Sequence, residues 1–349
     1  MTEEKKYKVL ARKYRPQKFE DLIGQELLVK ILSNAINNDR LAHAYILTGV
    51  RGVGKTTTAR LIAMSINCKN RDKKNCEPCG NCDSCKSTTS DSNLDVIEID
   101  AASNTGVDDI REIIDNVKYK PVIGDYKIFI IDEVHMLSKS AFNALLKTLE
   151  EPPEHVKFIF ATTEIKKVPI TVLSRCQRFD LHRIENKILS DHLLKISKLE
   201  NIAIDLDAIS LIVRSADGSV RDGLSLLDQA ITSPNEKVDS QTVISMLGLA
   251  DREKIFNLIE IILEGDALGA INKYKELYEL GADIAMIFDE LLNVVHFLVQ
   301  IKIAPDLKDD IYIPEFERNK GAELSSKMTL NNLNIIWQIL FKGYQELQH

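Results

Sequence analysis

Ala44-Tyr45-Ile46-Leu47-Thr48-Gly49-Val50-Arg51-Gly52-Val53-Gly54-Lys55-Thr56 is the stretch that decides the fold. Its first five residues read as a short buried strand and the next eight as a glycine-rich phosphate loop. Beyond them Ala59, Ile62, Ala63 and Ile66 recur at helical spacing. Strand, loop and helix in that order is the context a phosphate-cradling motif needs. The glycines let backbone N–H groups turn toward phosphates, and the helix N-terminus adds the positive end of its dipole. In such a loop Lys55 would reach the β- and γ-phosphates of ATP, and the Thr56 hydroxyl would ligate magnesium.

Outward from the loop, Ile128 to Ile131 form a second apolar run that ends in Asp132 and Glu133. Ligands of open α/β sheets bind at the carboxyl ends of the strands. Asp132 is therefore expected to hold magnesium, directly or through water, and Glu133 to orient or deprotonate the attacking water. Alone, an Asp-Glu pair could simply cap the next helix; the phosphate loop turns the reading toward catalysis. Further strands are expected at Val96 to Asp100 and Phe158 to Thr162. Strands and helices alternating to about residue 183 predict a parallel sheet with helices on both faces.

Between the loop and the carboxylates lie four cysteines spaced C-x10-C-x2-C-x2-C: Cys68, Cys79, Cys82 and Cys85. Thiols at x2 spacing favour metal over disulfide in a reducing compartment. Four of them meet the ligand count of a closed tetrahedral zinc site. The span between Cys68 and Cys79 is polar and turn-rich, so a metal staple has a physical task there. Cys76 is a fifth candidate that could replace Cys79. No histidine or general base lies within the knuckle, which points to a structural site.

Net charge is −7, which argues against a protein that coats nucleic acid with its whole surface. Lys5, Lys6, Lys8, Arg12, Lys13, Arg15 and Lys18 nonetheless concentrate positive charge near the N-terminus. The first residues contain no apolar segment of the signal-peptide kind. No apolar run is expected to reach the roughly 20 residues needed to cross a bilayer. The reading is a cytoplasmic protein with no membrane partner.

The motifs together resemble the bacterial DNA polymerase III gamma/tau family, clamp-loader ATPases of the AAA+ superfamily. The resemblance is carried by ARKYRPQKFEDLIGQ (11–25), GVRGVGKT (49–56), the cysteine knuckle and EIDAASNTGVDDIRE (98–112). It continues through IDEVHMLSKSAFNALLKTLEEPPEHVKFIFATTE (131–164), LSRCQRF (173–179) and GSVRDGLSLLDQAI (218–231). It is dense from about residue 9 to 250 and thin afterwards. It implies that Thr163, or its neighbour Thr162, senses the γ-phosphate. Arg175 would be an arginine finger entering the ATP site of a neighbouring subunit, worth on the order of 10³–10⁵ in rate. Arg221 would contact phosphate from the helical lid of its own chain. Read singly, Arg175 could salt-bridge locally and Arg221 could cap a helix. The resemblance puts Tyr14, Arg15, Pro16, Leu22 and Ile23 near the adenine. Lys147 would face a DNA backbone in a sequence-blind contact.

The implied architecture is an α/β AAA+ P-loop NTPase with a parallel sheet, an inserted zinc knuckle, a helical lid and a C-terminal all-α collar. The expected division is an ATPase core over 1–183 (zinc module 68–85), a lid over 184–246 and a collar over 247–349. Apolar faces such as Arg252 to Glu264 and Asp283 to Ile301 suit such a collar. Implied partners are delta, delta-prime and further gamma/tau copies, the beta sliding clamp and primer-template DNA. The polymerase core would be reached through a C-terminal extension, since the chain ends in GYQELQH, inside an expected helix. The chain carries no recognisable polymerase site, so a DNA-directed DNA polymerase classification would reflect holoenzyme membership. One rival is a non-catalytic delta-prime-type scaffold, which the intact Lys55, Thr56, Asp132 and Glu133 oppose. A second is a branch-migration helicase, which the cysteine insert and the Ser174-Arg175-Cys176 motif oppose.

Overall fold

A computed structural model describes residues 7–38, 40–72, 76–103, 105–232, 237–247, 252–279, 283–309 and 313–347. Contacts divide the chain into two units, Met1–Leu189 with Ala216–Ser225, and Ser190–Ser215 with Leu226–His349.

The first unit is built on five parallel strands: β1 (Ala44–Thr48), β2 (Val96–Asp100), β3 (Lys127–Asp132), β4 (Val156–Thr162) and β5 (Gln177–Asp180). Their order across the sheet is β2-β3-β4-β1-β5. Strand β1 is central, pairing Thr48 with Thr162 of β4 on one side and with Asp180 of β5 on the other. Every residue of β1 and β4 is buried, as strands covered on both faces must be.

Alternation along the strands sends side chains to two cores. Ile46, Phe129, Ile131, Phe158 and Phe160 meet the helices Val107–Val117 and Lys139–Glu150 on one face. Tyr45, Leu47, Ile128, Ile130, Ile159 and Ala161 meet the helices Glu26–Asn37 and Lys55–Ile66 on the other. Phe158 stacks between Phe129 and Phe160, with ring centroids 5.4 and 5.9 Å away. The strands expected from sequence form, with β3 and β4 slightly longer at their ends. Strand β5 was not anticipated: its sequence, Gln-Arg-Phe-Asp, contains one apolar residue, and pairing to β1 makes it a strand.

The second unit is helical apart from a two-stranded parallel ladder, Ala203–Ile204 with Lys237–Val238. Helices Arg252–Glu264, Ala267–Glu279, Ile284–Ile303, Glu315–Lys327 and Leu330–Leu347 surround one apolar core. The expectation that no apolar run is long enough for a membrane needs correction. Ile284–Ile303 meets that test by length and hydropathy. It is nonetheless a core helix of its unit. Ile287, Leu291, Val294, Val295, Leu298 and Ile301 are buried among neighbouring helices, and Glu290 pairs with Arg252.

Candidate nucleotide site and cysteine cluster

The loop after β1 owes its shape to glycine. Gly52 has φ +77°, and a Cβ there would collide with the Ser219 side chain. Gly54 has φ +102° and opens the helix Lys55–Ile66 in the left-handed region. Val53 is buried in the core between them, while Arg51 is exposed. Lys55 is only 5% exposed and donates to the carbonyls of Gly49 (3.0 Å) and Val50 (3.1 Å). Burial pushes its pKa down, against the opposing pull of the Glu133 and Asp132 carboxylates.

The two carboxylates lie where the strands end. Thr56 Oγ1 donates to Asp132 Oδ2 at 2.6 Å, although 76 positions separate them in sequence. Asp132 Oδ1 accepts from the Glu133 N–H at 2.9 Å. Thr163, just past β4, donates to Glu133 Oε2 from both its N–H (3.1 Å) and its hydroxyl (3.0 Å). Strand β4 lies between β1 and β3, so sheet order alone brings Thr163 between the loop and the carboxylates. Thr162, by contrast, is fully buried and lies 3.0 Å from His135 Nδ1. Glu133 has φ +47° and ψ 45°, a left-handed conformation that costs a non-glycine residue on the order of 1–3 kcal/mol. Its Oε2 lies 3.4 Å from His135 Nδ1. His135 was not singled out from sequence, although it stands two residues after Glu133 in the quoted motif.

Of the five N-terminal residues, the structure brings two to the loop. Arg15 Nε donates to Thr57 Oγ1 at 3.2 Å, and Leu22 Cδ2 lies 3.9 Å from where a Cβ on Gly54 would stand. Burial lowers the Arg15 pKa, and the nearby Arg60 charge adds to the effect. Tyr14, Pro16 and Ile23 are half-buried on the same segment. Arg221 donates its backbone N–H to Gly52 O at 3.2 Å. Two of the predicted positions lie elsewhere. Arg175 pairs with Glu150 at 2.6 Å and donates to Thr171 O, neither of which belongs to the phosphate loop. Lys147 is exposed on the helix Lys139–Glu150.

Four of the loop's five cysteines cluster, and Cys76 lies outside the cluster. The Sγ atoms of Cys68, Cys79, Cys82 and Cys85 all lie within 4.8 Å of one another. A tetrahedral zinc with bonds of about 2.3 Å spaces its sulfurs by about 3.8 Å, so the set fits with small adjustments. Cys76 stands apart, fully buried, with its thiol donating to Ser33 O (3.2 Å) and Asn37 Oδ1 (2.9 Å). Its backbone is left-handed, with φ +57°. Burial raises the Cys68 and Cys85 thiols. Burial works the same way on Cys79, but the N–H groups of Asn81 and Cys82 with the thiols of Cys68 and Cys82 overcome it and lower Cys79 to about 6. Four thiols this close offer the donor set that a tetrahedral metal ion could take.

Three family models match successive parts of the chain: "DNA polymerase III, delta subunit" over residues 24–185, "DNA polymerase III clamp loader subunit, ATPase lid domain" over 188–236, and "DNA polymerase III subunits gamma and tau domain III" over 238–349. DNA polymerase III subunit tau of Escherichia coli is 41% identical over 98% of this chain and 53% of its own length. DNA polymerase III subunit gamma of Buchnera aphidicola from Schizaphis graminum is 40% identical over 98% of this chain and 93% of its own. Among solved structures, the Thermotoga maritima Holliday junction branch migration motor RuvB is 19% identical, covering 72% of this chain and 80% of that one. Its TM-score is 0.48, a likeness that decides nothing about activity. The chain spans about half the length of the first curated relatives it matches. At 40% identity over nearly the whole of a gamma subunit, the chain belongs to the DNA polymerase III gamma/tau family.

Proposed function

We propose that this chain is the ATPase motor subunit of a clamp loader, using ATP binding and hydrolysis to place a beta sliding clamp on primed DNA. One observation carries the reading beyond family membership. Thr56 and Asp132 meet at 2.6 Å at the strand ends, with Glu133 held by Thr163 beside them. That is the grouping hydrolysis of a triphosphate needs. The phosphate loop would cradle the polyphosphate with its N–H groups, and Lys55 would leave its own loop carbonyls for the β- and γ-phosphates. Thr56 and Asp132 would hold magnesium, which supplies neutralising charge to the phosphate oxygens. Glu133 would release Thr163 and take a proton from water as the water oxygen bonds to the γ-phosphorus. The bond to the β–γ bridging oxygen breaks, leaving ADP and phosphate. Thr163 freed in this way could read the γ-phosphate. Arg221, already at Gly52, would add positive charge from the lid.

Arg175 is assigned to a neighbouring subunit's site, which is consistent with its partners lying outside its own phosphate loop. Its pairing with Glu150 fits a resting position from which it can be drawn by phosphate. Tyr14, Arg15, Pro16, Leu22 and Ile23 are assigned to the adenine side, and Lys147 to the DNA backbone. Cys68, Cys79, Cys82 and Cys85 are assigned to a structural zinc. We divide the chain into core (1–183), lid (184–246) and collar (247–349). The partners are delta, delta-prime, further gamma/tau copies, the clamp and primer-template DNA, all in the cytoplasm. The test is turnover in the assembled loader with primed DNA. Lys55→Ala is expected to abolish nucleotide binding, whereas Arg175→Ala keeps binding and loses turnover. Turnover by Arg175→Ala equal to the unaltered protein overturns the finger assignment.

A further inference from the structure

Resting on that reading of the nucleotide site, we propose that Glu77 is a positioning residue for nucleotide binding, through which the cysteine loop sets the segment that covers the base. The observation is a long-range cap. The short 3₁₀ helix Phe19–Asp21 has no capping side chain of its own, because Lys18 at its N-cap position makes no such bond. Its first two N–H groups are instead taken by the two oxygens of one carboxylate. Phe19 N–H donates to Glu77 Oε2 at 2.8 Å, and Glu20 N–H donates to Glu77 Oε1 at 3.0 Å. A carboxylate at this end of a helix satisfies orphan donors and meets the positive end of the backbone dipole.

Both sides of this contact are anchored where they matter. On the cysteine side, Cys76, next to Glu77, is fixed by its thiol to the helix Glu26–Asn37. Its carbonyl accepts from Ser65 Oγ on the helix that follows the phosphate loop. Asp72 N–H donates to Glu77 O at 3.1 Å and closes the turn. On the other side, Phe19 is 1% exposed and Leu22, which ends the 3₁₀ helix, is packed in the core with Val53. Leu22 approaches Gly54, and Arg15 is bonded to Thr57. A second tie, Thr89 Oγ1 to Gln17 Oε1 at 3.2 Å, joins the far end of the cysteine segment to the same stretch. The cysteine loop thus grips residues 17–20 at two points, and the gripped segment rests on the phosphate loop.

The consequence is selective. The Glu77 carboxylate bonds to the backbone of Phe19 and Glu20, while the phosphate loop is shaped by its own glycine turns and Lys55 bonds, so loss of Glu77 should loosen the base side and leave the phosphate side intact. Two charge-assisted bonds are at stake, so the expected loss of affinity is on the order of ten-fold. The experiment measures dissociation constants of the intact chain for ADP and for inorganic tripolyphosphate, with bound zinc quantified in each preparation. Glu77→Ala is expected to weaken ADP about ten-fold, leave tripolyphosphate unchanged and keep the zinc content of the unaltered protein. Glu77→Gln keeps one acceptor oxygen and the packing, and is expected to lose about two- to three-fold. ADP affinity unchanged in Glu77→Ala overturns the proposal. So does an equal loss for tripolyphosphate, because the defect would then be collapse of the loop and not displacement of the base segment. Should the unaltered protein bind neither ligand, the nucleotide reading fails first and the inference falls with it.

Discussion

Arg252 is the residue whose removal should harm the second unit most. Its guanidinium lies 2.9 Å from Glu290 and 2.9 Å from Glu317, and Glu317 is in turn 2.7 Å from Arg214. Side-chain exposures are 12% for Arg252, 11% for Glu290 and 6% for Glu317, but 33% for Arg214. Arg214 is therefore partly screened and adds little, whereas Arg252 is the counter-charge of two buried carboxylates. Only the bond to Glu290 is well aligned; Nε approaches Glu317 without a hydrogen-bond geometry. Burial lowers the Arg252 pKa and the Arg214 charge adds to that, so desolvation is not fully offset by the two carboxylates. Removing one partner of a buried pair costs about 3–5 kcal/mol, and Arg252→Ala leaves Glu290 with none of its charge partner. At about 2–4 °C per kcal/mol for a unit of this size, the transition of the second unit should fall by roughly 6–20 °C. Scanning calorimetry of the intact chain reads that transition, while ADP-dependent stabilisation reports the first unit separately. The informative control replaces all three charges at once, Arg252→Met with Glu290→Leu and Glu317→Leu. If charge burial is the issue, this triple variant should be near the unaltered protein or above it. A fall of less than about 2 °C for Arg252→Ala, or a triple variant as unstable as the single one, refutes the reasoning.

Two further outcomes follow from the site. Cys79→Ser should lose bound zinc and Cys76→Ser should keep it, since only Cys79 belongs to the four-sulfur cluster; metal quantification by elemental analysis decides, and equal loss in both variants contradicts the assignment. Nucleotide affinity should fall with rising pH in a window below the ordinary lysine range near 10.4, because burial lowers the Lys55 pKa and the phosphates need the ammonium form. The charged form is present below the lowered pKa and lost above it, so bound phosphate, which favours the charge, takes up protons at the alkaline end. Titration calorimetry of ADP in buffers of different ionisation heat measures that uptake, and Lys55→Arg should abolish it.

Much of the first unit was legible because period and punctuation agreed there. Ala44–Thr48 is apolar, ends at glycines and is followed by a helix, so local sequence and sheet position demand the same conformation. The pairing of Thr56 with Asp132 could be expected because Thr56 opens the helix after the loop that follows β1 and Asp132 ends β3, at the same edge of one parallel sheet. What sequence could not give was the partner of an isolated polar residue. Glu77 sits in a polar loop with no periodicity, and its bonds to residues 19 and 20 exist only once two distant segments are packed. Cys76 shows the same limit. By spacing it competes with Cys79, and only the packed structure shows its thiol bonded to Ser33 O and Asn37 Oδ1 and outside the four-sulfur cluster. The helix Ile284–Ile303 reads from sequence as an apolar-faced collar helix but not as a run long enough for a membrane, because Asp289, Glu290 and His296 interrupt it. Helical geometry distributes these along the surface and into the pair with Arg252, so the interruptions do not break the core face.

If the site works as proposed, the contacts of Glu133 bear on how it would be held before nucleotide binds. A carboxylate poised to take a proton from water must present a free oxygen, yet one oxygen here receives two hydrogen bonds from Thr163 and faces His135. Lys55 is likewise turned onto its own loop carbonyls. Arg175 is engaged with Glu150. On the proposed mechanism, Lys55 and Arg175 would each exchange a protein partner for phosphate, and Glu133 would free its Oε2 from Thr163, before hydrolysis proceeds. Each exchange is close to balanced, because a hydrogen bond is given up for one gained. A triphosphate alone can draw Lys55, whose competing carbonyls are uncharged. Arg175 has an ionised partner to leave, so it is the group whose release depends most on a second phosphate-bearing surface being brought close. On the proposed reading, that difference in partner charge would be a physical reason for binding to precede turnover, and for turnover to await assembly.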